Sequence, residues 1–344
     1  MVDWLDGLQR RHPSLGFLIA VIYKYVDDQG GYLAALITYY SFVSLFPLLL
    51  LMTTGLGVVL AGHPELQQDV VQSTLAQFPV IGSQLEQPEQ LSGGTVAVVV
   101  GIAGALYGGL GVGQAIQNAM DTVWAVPRNI RPDPIRSRMR SLLLLIILGS
   151  AAITATALSA GARATETLGW IGKTGLTVAA VTINAIICLV AFRVTTTRHL
   201  SYRQVLPGAL GAAVIWQLVQ WFGATYVSHT VKTATATNGV FALVLGLLAF
   251  LFLISTSLVL CAEVNVVRVD RLYPRALLTP FVDDVDLTSA DRRTYTRKAK
   301  AERVKGFQKV SVRFDGARRP DIPGSSPDSS SPDSQAAPQS RVIE

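Results

Sequence analysis

Nothing in this chain constrains its fold more than six long stretches almost free of charge. They are residues 33–61, 95–120, 141–162, 176–192, 205–228 and 239–267, and Glu263 is the sole charged residue inside any of them. A bilayer core takes about 20 apolar residues in a helix. A soluble amphipathic helix of such length would carry charge on every second turn or so of its outward face, and these stretches carry none. Hydrophobic residues make up 50% of the sequence and charged residues only 15%, where a soluble chain has about a quarter charged. Lipid is the solvent these segments fit.

Lys and Arg set the orientation. Of the 29 in the chain, 26 fall before the first stretch, after the second, after the fourth or after the sixth; only Arg163, Lys173 and Lys232 fall on the other side. The alternation is what six crossings require and it places both termini in the cytoplasm. It also accounts for most of the net charge of +6 without invoking nucleic acid. Residues 14–26 form a shorter apolar run interrupted by Lys24, which reads as an amphipathic helix in the cytoplasmic interface. The sequence therefore predicts an all-α integral membrane protein with six transmembrane helices, cytoplasmic N- and C-termini, an N-terminal interfacial helix and a disordered C-terminal tail. Its divisions are a cytoplasmic N-terminal segment (1–32), the six-helix domain (33–267), a basic cytoplasmic tail (268–322) and a Ser/Pro-rich tail (323–344).

The outer loop, residues 62–94, is the one long connection; Leu66, Val70, Val71, Leu75 and Phe78 have helical spacing, compatible with a short interfacial helix or a plain hairpin. The tail segment 292–319 has eleven basic residues against Glu302 and Asp315. Beside an anionic leaflet each such charge is worth about 1 kcal/mol, so adhesion to anionic lipid headgroups is the expected role. From residue 323 the Ser/Pro/Asp-rich sequence cannot bury enough apolar surface to offset its ordering entropy.

Several polar residues interrupt the greasy helices. Pro47 removes a backbone hydrogen bond from the first stretch and should kink it; Tyr40 lies two turns before it. In the second stretch Tyr107, Gln114, Gln117, Asn118 and Asp121 share an arc of about 100° at 100° per residue. The same stretch has two small-xxx-small steps, Gly104/Gly108 and Gly109/Gly113, which admit close helix packing within the chain or between copies in a homo-oligomer. Gln217 in the fifth stretch and Glu263 in the sixth are expensive against lipid tails and should point inward. Tyr40, Gln114, Asn118, Asp121, Gln217 and Glu263 would together line a polar cavity, or serve as interhelical glue. The two acids need cations, and Arg128, Arg193 and Arg268 are the nearest in the cytoplasmic loops.

Catalytic and metal chemistry find little support. Cys188 and Cys261 lie in apolar runs, and His12, His63, His199 and His229 are scattered over both sides of the membrane, so no tetrahedral metal set is expected. No G-x-x-x-x-G-K-[ST] phosphate loop is present. The expectation is a non-enzymatic protein without cofactor that moves a lipid-like or small solute, or else a membrane scaffold.

The TYYSFVSLFPLLLL run, the Val123-Trp124 and Pro127 loop, the LPGALGAAVIWQL run and the CAEVN ending together resemble the YihY / virulence factor BrkB family of bacterial inner-membrane proteins. The likeness covers about residues 21–268. Ala262-Glu263-Val264-Asn265 is similar to that family's G-A-E-L-N, with Cys261 in the glycine place. The resemblance implies six membrane helices, cytoplasmic termini and a role in envelope integrity, with lipid or solute transport often proposed. It implies no catalytic residues. The ribonuclease BN label that the family has carried does not fit a chain lacking a His and carboxylate cluster for metal-assisted cleavage.

Overall fold

In the computed structural model the described residues are 9, 12–59, 95–164, 169–230, 236–277, 279 and 286–314. The expected helix within 62–94 and the Ser/Pro-rich tail lie outside them. Among the described residues the chain is all-helical, with no strand. The α-helices are α1 (Pro13–Asp27), α2 (Gly30–Val59), α3 (Thr95–Val123), α4 (Pro134–Ala164), α5 (Gly169–Thr195), α6 (Tyr202–Thr230), α7 (Ala236–Val269) and α8 (Ser289–Ala301).

Each of the six long helices, α2 to α7, packs on its neighbours in sequence, and α7 closes back onto α2. From α3 to α7 the connections are short, which favours antiparallel neighbours. The segments Val99–Val123, Thr177–Thr195 and Val244–Val269 are long and apolar enough to cross a membrane, and Gly30–Leu45 is a shorter apolar helix. At 1.5 Å per residue the 26 residues of Val244–Val269 extend about 39 Å, more than a hydrocarbon core of about 30 Å. Val99, Ile102, Ile146, Val178, Leu218 and Leu253 turn outward, exposed. A soluble surface rarely presents so continuous an apolar belt.

Small residues set the closest contacts. A Cβ added at Gly104 would come within 2.7 Å of the Pro47 ring, and one at Gly108 within 2.5 Å of the Ser44 Cα. Added at Gly111, it would overlap the Tyr40 ring. One face of α3 is thus cut away for α2. Gly109 and Gly113 face α4, where the obstacles are Leu145 and Ser141. Both glycine steps are occupied within the chain, so they are not free faces for a second copy.

The LPG and CAEVN motifs meet as well. Gly208 lies so close to α7 that a side chain would overlap the Cys261 carbonyl and the Asn265 amide, and Asn265 Oδ1 accepts the Gly208 N–H at 2.7 Å. The close approach is permitted by a glycine on α6, and a Cβ added at Gly211 would sit 3.5 Å from the Cys261 sulfur.

Two devices shape the arginine-rich end. Pro13 starts α1 with its φ pre-set, and Gln29, at φ 56°, turns the chain sharply into α2. Thr288 caps α8 and Asp291 returns the bond, forming a capping box. The main core lies at this end: Val21, Met120, Val123, Trp124, Phe192, Val259 and Val266 are buried in one cluster.

The helix α1 has two unlike faces. Leu15, Leu18, Ile22 and Val26 form an exposed apolar stripe, whereas Gly16, Ala20, Val21 and Lys24 are buried against the bundle. The stripe suits an interface, but the lysine points inward rather than to water.

Candidate functional site

The six polar residues expected to share one cavity are dispersed. Asp121 is buried and accepts the Thr197 N–H at 2.9 Å and the Thr197 hydroxyl at 3.1 Å, tying the end of α3 to the loop between α5 and α6. Its neighbour on the arc, Gln117, donates to Ser141 Oγ at 2.9 Å and the Ser137 carbonyl at 3.0 Å on α4. Gln114 is exposed, and Gln217 is half-buried on α6. Tyr40 packs against Gly111 and meets Tyr39 edge-on at 5.2 Å. Helical periodicity places residues on an arc but does not say which neighbour covers each part of it. Here α4, the α5–α6 loop and open space divide one 100° sector among them.

Glu263 is fully buried, and its cation is Lys24, at 3.5 Å from Oε2. Lys24 also pairs with Asp28 and donates to the Val123 carbonyl at 3.1 Å. Burial by itself would pull the ammonium down. The carboxylates of Glu263 and Asp28 outweigh that and hold it above the ordinary lysine value. None of the three arginines expected to serve the acids does so by direct contact. Arg128 pairs with Glu302 at 2.9 Å, Arg193 stacks on the Tyr202 ring at 4.0 Å, and Arg268 is exposed. The reason is tertiary: α1 lies along α7 and brings together two residues 239 positions apart. A lone lysine on an otherwise apolar helix was the available signal.

A second buried cation was missed altogether. The Arg275 side chain is wholly enclosed; it donates to Asp291 Oδ1 at 2.7 Å and pairs with Asp27, and the Ala276 N–H donates to Asp291 Oδ2 at 3.0 Å. Burial opposes its charge, but Asp27 and Asp291 hold the guanidinium above its ordinary value. This clamp docks α8 onto α1. Arg198 adds a fork to Asp270, 3.1 Å on both arms, beneath Arg297, which pairs with the same carboxylate. Part of the basic tail is therefore bound to the body of the protein, rather than wholly available to a membrane surface.

Between α8, the α1–α2 elbow and the end of α3 an open cavity of about 440 Å³ remains. Its lining includes Lys24, Arg128, Arg131, Arg297 and Lys298 against two carboxylates, Asp28 and Glu302. Of the six polar residues expected to line one cavity, Asn118 lines it directly, and Glu263 is paired to Lys24. Arg131 is half-buried and hydrogen-bonds neutral oxygens: Asn118 Oδ1 at 3.1 Å, the Val126 carbonyl at 3.3 Å and Thr122 Oγ1 at 3.5 Å. Among the described residues no carboxylate comes within ion-pair distance of it. Burial lowers its pKa, with Asp121 and Glu302 attracting at longer range and Arg128 repelling. The vestibule lining thus carries more cations than carboxylates.

A closed helical ring with an apolar exterior and ionic groups gathered at one end defines a helical membrane protein. The family model for virulence factor BrkB matches residues 21–280, and the chain belongs to that family. The inner membrane protein YhjD of Escherichia coli strain K12 is 32% identical over 123 residues, 33% of this chain and 36% of that protein. A UPF0761 membrane protein of Stenotrophomonas maltophilia strain K279a is 22% identical over 280 residues, 76% of this chain and 63% of that one. A protein of Dickeya dadantii strain 3937 is 25% identical over 286 residues, 76% and 85% of the two chains. The matched region spans about a third of YhjD and under two thirds of the Stenotrophomonas protein. No solved structure matches the chain.

Proposed function

We propose that this protein is a multi-pass bacterial inner-membrane protein with six spans and cytoplasmic termini, and that it is a non-enzymatic carrier of a lipid-like or small solute. The observation that carries the reading is the vestibule: an open cavity at the arginine-rich end lined by Lys24 and Asp28, with the buried Glu263 paired to Lys24. Intramembrane charge beside an open cavity is a usual ingredient of a transport site. The charge asymmetry of the loops and the ring of six long helices support the topology.

The scaffold reading has its own support. Asp121, Gln117 and Asn265 are all engaged in bonds between helices or to loops, and Thr38 donates to Ser255 across α2 and α7 at 3.2 Å. Polar groups so engaged fix packing and leave little to line a path. Reconstitution separates the two. A carrier accelerates lipid scrambling or solute flux in vesicles, and Glu263→Gln slows it; a scaffold leaves flux at the protein-free rate. Cysteine labelling of residues 62–94 from outside the cell tests the topology.

A further inference from the structure

We propose that the vestibule is a binding site for a phosphate-class oxyanion, with Arg131 as its fixed guanidinium and Lys298 closing on the anion from α8. The proposal deepens the carrier reading by naming the chemistry of its cargo.

The argument starts from the donors of Arg131. A guanidinium has five N–H groups and no acceptor. Three are engaged, one each by Val126, Asn118 and Thr122, and each terminal nitrogen keeps one more. Because these partners are neutral, the half-buried positive charge has no direct counter-ion among the described residues. Its partners are also oriented by it. Asn118 Oδ1 accepts from Arg131, which leaves the amide NH₂ to donate; Thr122 Oγ1 accepts likewise, which leaves its hydroxyl proton to donate. Asn118 and Thr122 both line the cavity.

Across the vestibule, Lys298 is half-exposed and 3.9 Å from Asp28, a loose pair that leaves ammonium protons directed elsewhere. The site therefore presents donors from two separate elements around one space. A carboxylate offers two oxygens in a plane. A phosphate ester offers two or three oxygens in a tetrahedral array, and so satisfies donors arriving from opposite walls. The cavity is larger than one phosphate group, and Tyr32 and Leu33 supply an aromatic and apolar wall for whatever the phosphate is attached to. A lipid headgroup and a soluble phosphate ester share this chemistry.

The test uses the purified full-length protein in detergent. Binding of phosphatidylglycerol and of phosphatidylcholine is measured by native mass spectrometry, and inorganic phosphate is titrated against chloride of equal ionic strength in a thermal-shift assay. Arg131→Gln and Lys298→Gln are compared with Arg313→Gln, an exposed arginine outside the vestibule. Lys298→Gln removes a loosely held side chain and keeps the test open if Arg131→Gln folds poorly. If a lipid is the source, phosphatidylglycerol is preferred and each vestibule variant weakens it about tenfold, the loss of one charge-assisted contact, while Arg313→Gln does not. If the source is soluble, phosphate stabilises the wild type beyond chloride, the vestibule variants lose the shift, and the lipids do not differ. No selectivity in either arm, or equal loss in Arg313→Gln, overturns the proposal. Binding that depends on Arg131 without flux in vesicles would sink the carrier reading and leave the site standing; flux without selective binding would do the reverse.

Discussion

The α2–α3 interface and the arginine-rich end of the bundle hold helices together by opposite means. Along α2 and α3 the described contacts involve glycine, serine, proline and tyrosine, without a charged residue among them: Gly104 on Pro47, Gly108 on Ser44, Gly111 on Tyr40. At the other region three carboxylate-bearing clusters surround Lys24, Arg198 and Arg275. In lipid, burying apolar surface gives no net drive, so helices associate by close van der Waals fit, and small residues make that possible. Where the chain meets water, ions are available, and pairing them fixes which helix lies on which. The first region is sensitive to added volume, the second to unbalanced charge.

The largest effect should follow from unbalancing the Lys24 cluster. Lys24→Met leaves Glu263 buried without its cation and Asp28 with only the loose Lys298 contact, a loss of about 3–5 kcal/mol, read as a lower melting temperature in detergent. Adding Glu263→Met should recover much of the loss, because removing both partners leaves less uncompensated charge. Failure to recover would show that Lys24 acts through packing alone and would blur the contrast between the regions.

Next in size is Asp291→Ala, which removes both an Arg275 partner and the α8 capping box. About 3 kcal/mol is expected, confined to α8. Hydrogen exchange should accelerate over 289–301 and stay unchanged in α2 and α3. Exchange rising equally in both would mean that the two regions are not energetically separate.

At the apolar interface, Gly108→Ala forces a methyl against the Ser44 backbone and should cost about 2 kcal/mol. Gly149→Ala, with nothing within 4 Å of the added carbon, should instead stabilise by up to about 1 kcal/mol. Paired melts of the two variants give opposite signs if fit is what holds this region.

The smallest effect is that of pH on the Lys24 cluster. Its folded ammonium titrates above the ordinary 10.5, so its contribution is complete below that pH and fades as pH rises through the folded value. Melts across the neutral range should show the full contribution and no pH dependence from this group, and Lys24→Met should lose the alkaline limb.

Much of the fold was legible along the chain. The apolar stretches, Pro47 and the paired glycine steps are local patterns, and each predicts a helix or a close contact without reference to a partner. Less of the site could be read. The arc holding Gln114, Asn118 and Asp121 was visible, yet one residue remains exposed, one lines the vestibule and one binds a loop. Arg131 was counted only as a topological charge, Arg275 carried no local signal, and Asp291 carried only that of a helix cap.

The amino-acid order by itself determined that this is a helical membrane protein with its basic residues gathered at one end, because hydropathy and helical period depend only on near neighbours. The tertiary structure alone decided that Lys24 serves Glu263 and that Arg275 joins Asp27 to Asp291. It also decided that Arg131, beside an open cavity, has no direct counter-ion among the described residues. Ion pairing depends on distances across a few ångströms between distant parts of the chain, and no local pattern encodes them.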